Sequence, residues 1–202
     1  MLFRSEGEDV QLDYLAANLP SQYAWQRQHP SGGNGGNENA AFAYNTNTVQ
    51  LLDRGVFSLG TKPGGGYWNN APGTPFDPWS FFPENFFQFP RLALWGKFKW
   101  RATGQQFVFY TTHFDVYNAT YTGLSQVKSA ALIADDARSR NNLVPASLPA
   151  ICVGDFNGSQ NDHAWQLFTG SYSHNGMTGD FTDSWWRSEE HTSELQSRTL
   201  IS

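Results

Sequence analysis

Residues 150–159 (AICVGDFNGS) constrain the chain more than any other stretch. Ile151, Cys152 and Val153 stand side by side, a pattern that suits a strand covered on both faces. The apolar run stops at Gly154, and Asp155 and Asn157 follow two residues apart. Side chains alternate along an extended chain, so both polar groups would share one side where the strand leaves its sheet. A carboxylate and a carboxamide placed so could hold a water nucleophile and a phosphoryl oxygen together. An Asx turn, with the two side chains capping their own backbone, uses the same residues, so these ten alone do not choose.

A second apolar run ends in the same way. Phe107, Val108, Phe109 and Tyr110 lead into Thr111-Thr112-His113-Phe114-Asp115. This strand, over residues 105–112, is preceded by another over 92–100, and the glycine-containing link Arg101-Ala102-Thr103-Gly104 makes the pair an antiparallel hairpin. Between the two chemical strand ends, residues 123–140 read as a helix with Leu124, Val127, Ala130, Ala131 and Ala134 on one face. Further helices are expected over 6–19, where Val10, Leu12, Leu15 and Leu19 fall near helical spacing before Pro20, and over 162–168. Shorter strands are expected over 23–27, 40–44, 49–59 (one or two) and from 178. Residues 31–39 are a Gly/Asn loop, and 61–90 hold glycine, proline and aromatics without a steady period, a length of loop that is often functional. Mixed hairpins and crossovers predict an α+β, layered α/β sandwich, with mixed β-sheets packed face to face and helices outside.

Bulk properties narrow the class. A chain of 202 residues is enough for one domain with a real core. Net charge is -5 with no basic run, which argues against tight non-specific binding to duplex nucleic acid. The single cysteine, Cys152, sits among apolar neighbours and is expected to be a buried thiol. No run is apolar for long enough to span a membrane as a helix. Secreted and cytoplasmic locations are equally open, and a monomer is expected.

Both ends read as foreign. Residues 187–198 (RSEEHTSELQSR) match the translation of a common sequencing-library adapter, and residues 2–5 (LFRS) match the end of its partner. The expectation is therefore that residues 1–5 and 187–202 are adapter-derived. Residues 6–186 would then be a partial domain, incomplete at both termini.

With side-by-side ends, the two strands would present an imidazole (His113), a carboxylate (Asp155) and a carboxamide (Asn157) on one rim. The carboxylate could take a proton from water while the other two donate to phosphoryl oxygens. The spaced pair Thr111-Thr112-His113-Phe114-Asp115 and Gly154-Asp155-Phe156-Asn157, with the Gln126 helix between them, resembles the endonuclease/exonuclease/phosphatase superfamily. Residues 90–95 (PRLALW), followed by a strand and Thr103-Gly104, are similar to that family's central hairpin. The resemblance implies a magnesium-dependent phosphoester hydrolase, with manganese or calcium as alternatives. It assigns Asp155 to the attacking water, Asn157 and His113 to the phosphate, and Glu6, five residues before Gln11-Leu12, to the metal; Ser5 stands where the family has Gln. Arg91 and Asp115 are weaker candidates for substrate contact, Asp115 being expected as a solvated strand-end acid. Asp183 resembles a position of structural use. His29, His163 and His174 are expected at the surface, and Asn118-Ala119-Thr120 is a glycosylation sequon only in a secreted eukaryotic chain.

The family's opening strand, with a metal-binding Asn, and its closing Asp and Ser-Asp-His segments have no counterpart in the sequence. The chain as written is therefore expected to be nearly inactive. Substrates left open are nucleic acid, a phosphorylated sugar or inositol, and a phospholipid head group. The competing reading is a catalytically silent carbohydrate- or partner-binding module on the same fold, with Tyr67, Trp68 and Trp79 stacking on sugars. Retention of His113, Asp155 and Asn157 speaks against it.

Overall fold

A computed structural model describes residues 2–7, 9–29, 39–60, 91–116, 123–142, 148–174, 176–183 and 198–201. The sequon, the Tyr67, Trp68 and Trp79 loop, most of the Gly/Asn loop and His191 lie outside these residues. In chain order the elements are β1 (Leu2–Gly7), α1 (Asp9–Asn18), β2 (Tyr23–Gln28), β3 (Asn39–Asn45), β4 (Val49–Gly60), β5 (Arg91–Trp100) and β6 (Gln106–His113). They continue with α2 (Leu124–Asn142), β7 (Ala150–Asp155), α3 (His163–Phe168), β8 (Thr182–Asp183) and β9 (Arg198–Ile201).

The strands form two sheets, β1-β3-β2 and β4-β5-β6-β7-β9-β8. All described pairings are antiparallel except β6 with β7. A parallel pair needs a crossover of a dozen or more residues, and α2 lies in that connection. The β5–β6 hairpin closes as the sequence predicts, with Gly104 at a positive φ of 76°. Residues 49–59, expected as one or two strands, form the single strand β4; its register shifts between Leu51 and Asp53, which leaves Leu52 as a bulge.

Alternation along the strands separates two cores. Ala40, Phe42 and Tyr44 of β3 meet Leu92, Leu94, Phe98 and Phe109 of β5 and β6 between the sheets. Phe98 stands edge-on to Phe42 and Tyr44 at centroid distances of 5.7 and 5.2 Å. On the other face of the larger sheet, Trp95, Val108, Tyr110, Ala150 and Cys152 pack against α2 and α3. The layers are thus sheet, sheet, helices, the sandwich expected from the sequence, with Cys152 fully buried.

Three local expectations are corrected. Glu6 does not begin a helix: its backbone pairs with Ala40 in β1, and α1 starts only at Asp9. Leu12 is fully buried in α1, whereas Val10, Tyr14 and Leu15 are exposed. Residues two apart cannot share a helix face, so Val10 and Leu12 never formed a common stripe. His29 is buried at the end of β2 rather than at the surface.

Candidate functional site

The parallel register sets the geometry of the rim. His113 pairs directly with Asp155, the last residues of β6 and β7. Both continue the phase of Phe109, Ile151 and Val153, whose side chains pack between the sheets. Imidazole and carboxylate therefore leave adjacent strands on the same face, with His113 Nε2 3.9 Å from Asp155 Oδ2. His113 is largely shielded and the Asp155 side chain 36% exposed, so the carboxylate opens to solvent beside a covered ring.

Asn157 reaches this pair by a different route from the one its spacing suggests. The chain is not extended there: Asn157 has φ 46°, in the left-handed region. Asp155 Oδ1 accepts the Asn157 backbone N–H at 2.9 Å, so the Asx turn does form. That turn swings the Asn157 side chain across to β6, where Nδ2 donates to the Phe114 carbonyl at 2.9 Å and lies 3.1 Å from His113 Nε2. The capping reading and the rim reading are both realised, one by each side chain. A carboxamide oxygen would repel the Phe114 carbonyl, which fixes Nδ2 at this place. Nδ2 only donates, so His113 Nε2 accepts here and its ring proton is on Nδ1.

Behind the rim stands Gln126, in the first turn of α2 and almost completely buried. Its Nε2 donates to the Asn157 carbonyl at 2.5 Å and to the Asp115 carbonyl at 3.2 Å. Sequence reasoning quoted Gln126 only as part of a pattern. A polar residue beside Val127, Ala130 and Ala131 at the start of α2 was the signal available.

The two weaker candidates, Asp115 and Arg91, are not brought to this face. Asp115 is fully buried, not solvated, because the chain turns inward after β6; its Oδ1 accepts the Val116 N–H. Arg91, first residue of β5, lies at the same end of the sheet but is buried and in phase with Ala93 and Trp95 on the helix side. Glu6 ends up next to last in β1, and only its backbone is described. His163 is exposed and stacks on Tyr172 at 4.3 Å, while His174 is half-buried.

Oxygen donors of the kind Asp155 offers suit a hard divalent cation, which takes about six or more oxygens, several from water. Among the described residues no three His, Cys, Asp or Glu side chains converge on one point. Asp155 alone is thus a partial fit for such an ion.

No protein-family model and no curated protein matches the sequence. Solved structures do. An endonuclease/exonuclease/phosphatase family protein from Bacteroides thetaiotaomicron matches with a TM-score of 0.73 and 21% identity over 99% of this chain and 66% of that one. A mannosyl-6-phosphatase from Bacteroides thetaiotaomicron VPI-5482 matches with a TM-score of 0.70 and 22% identity, over 100% of this chain and 70% of that one. TDP2 from D. rerio, complexed with a single-strand DNA product, gives 0.59 and 13% over 99% and 69%. The chain spans about two thirds of the length of these proteins. Its layered sandwich is the fold of the endonuclease/exonuclease/phosphatase family.

Proposed function

We propose that the rim at the ends of β6 and β7 is part of the active site of a phosphoester hydrolase. The observation that carries this reading is the side-by-side emergence of His113 and Asp155, bridged by Asn157, on one face of a fold shared with phosphatases and nucleases. Asp155, the accessible member, takes the proton of the attacking water as general base. Asn157 offers a phosphoryl oxygen the Nδ2–H that faces His113, which is released when Nε2 of that ring carries a proton and no longer accepts it. His113 joins as a donor when Nε2 carries a proton, 3.9 Å from Asp155 Oδ2.

Glu6 is the carboxylate that the family resemblance assigns to magnesium, with manganese or calcium as substitutes. When bound, such an ion neutralises charge on the phosphoryl group. The substrate is a phosphoester of a sugar, inositol, nucleotide chain or lipid head group. The mannosyl-6-phosphatase and the DNA-bound TDP2 among similar folds support this breadth without choosing within it.

The test is hydrolysis of p-nitrophenyl phosphate and bis-p-nitrophenyl phosphate with magnesium, run at high protein concentration because the chain as written is expected to be nearly inactive. A measurable wild-type rate is compared with those of Asp155→Ala and His113→Ala. Removing a general base or an oxyanion donor is expected to lower the rate by about 100-fold or more, with far-UV CD unchanged. Rates equal to wild type in both variants would sink the assignment. Binding of glycans that survives Asp155→Ala would favour the silent binding module.

A further inference from the structure

We infer that Gln126 is a positioning residue for the rim, holding Asn157 in its left-handed conformation through its buried carboxamide. This deepens the hydrolase reading and rests on it for its functional meaning, though not for its geometry. Three observations carry it. First, Gln126 is only 1% exposed, so its amide has no recourse to water and must be satisfied by protein. Second, one NH₂ group serves two carbonyls, those of Asp115 and Asn157, which belong to the loops leaving β6 and β7. With both acceptors being carbonyl oxygens, only the nitrogen of the carboxamide can face them. Third, Asn157 is the sole non-glycine residue at positive φ among the described residues.

The consequence is a closed ring of hydrogen bonds. Gln126 holds the Asn157 carbonyl, Asp155 holds the Asn157 N–H, and the Asn157 side chain holds Phe114 and faces His113. Backbone and side chain of Asn157 are thereby fixed from three sides, and α2 is the rigid element they are fixed to. A left-handed backbone persists where its surroundings over-determine it. Without the Gln126 donors, the Asn157 carbonyl loses its partner and the turn is free to relax toward an extended chain. The carboxamide would then swing away from His113.

The substitutions that test this are Gln126→Glu and Gln126→Met in the 202-residue chain. Glu keeps the shape of Gln but sets a carboxylate against two carbonyl oxygens; Met fills the space with no donor. NMR signals of the Asn157 side-chain NH₂ and the His113 ring are expected to move in both, more in Glu than in Met. Signals of Phe98 and Tyr110 in the two cores should stay in place. Binding of inorganic phosphate at the rim should weaken by roughly tenfold, the scale on which outer partners tune a site. Unmoved Asn157 and His113 signals would overturn the inference, as would Glu behaving like Gln, or shifts spread evenly through both cores.

Should either variant fail to fold, the wild-type chain still decides. Its Gln126 NH₂ protons should exchange slowly and show couplings across hydrogen bonds to the Asp115 and Asn157 carbonyl carbons. Fast exchange without such couplings would refute the role. Loss of the hydrolase reading appears separately, as hydrolysis indifferent to Asp155→Ala.

Discussion

Single residues decide whether the rim exists. Gly154 is where β7 comes closest to β6: a Cβ placed there would stand 2.4 Å from the Thr112 carbonyl oxygen. That oxygen belongs to the backbone and cannot move without displacing His113, the next residue. Gly154→Ala is therefore expected to cost about 1–3 kcal/mol, the range of overpacking a close-fitted interior. A urea midpoint equal to wild type would show that the strands separate freely here. The glycine was visible in the sequence as the end of the apolar run. Its reason was not, because it depends on the parallel neighbour. Asn157 teaches the same lesson. Its candidacy was legible from its place after the strand, but the expected geometry assumed an extended chain. The Asx turn made by Asp155 rotates the side chain into contact with β6, so Asn157 reaches the rim by an unforeseen path.

At the scale of elements, α2 does more than cross between β6 and β7. Asp136 on this helix accepts the Tyr110 hydroxyl at 2.7 Å and two Arg140 donors at 2.6 and 2.9 Å. The Arg140 guanidinium lies 3.5 Å over the Trp95 ring, completing a polar stack that ties the helix to β5 and β6. Burial first, and then the Asp136 carboxylate, push the Tyr110 hydroxyl well above its ordinary range. Burial opposes the charge of Arg140, but Asp136 outweighs it and the net direction is upward.

Tyr110→Phe removes a hydrogen bond to a charged group and is expected to cost about 1.5–3 kcal/mol in urea unfolding. Arg140 keeps Asp136 paired, so the lower half of that range is the expected result. The pH dependence has a definite sign. An unfolded tyrosine ionises near pH 10 while folded Tyr110 does not, so this group's contribution is complete below about pH 10 and lost as pH rises beyond it. Stability of wild type should fall more steeply than that of Tyr110→Phe above that pH, and parallel curves would contradict the placement. The apolar face of α2 was legible from its repeat. Its buried Gln126, Lys128 and Asp136 were not, because their burial comes from the sheet on one side and α3 on the other. In α1 the error ran the opposite way, and apolar residues at irregular spacing stayed exposed.

On the scale of the molecule, the two-core sandwich follows from alternation that the sequence displays openly in β5 and β6. The partnership of β6 with β7 is what alternation cannot reveal. Two strand ends with polar residues form one rim only because the pairing is parallel and in a register that sets His113 beside Asp155. Strand pairing at the two ends of the chain, by β1 and β9, is a backbone property and says nothing of where those residues originate.

The central claim is that this register creates a place for a phosphoryl group. The direct measurement is titration of inorganic phosphate, with magnesium present, into isotope-labelled chain, followed by NMR. The account predicts that the signals of His113, Asp155 and Asn157 shift along a single binding curve, with the surface ring of His163 left unmoved. Rim signals that stay still through the titration, or shifts confined to sites remote from the β6 and β7 ends, would contradict it.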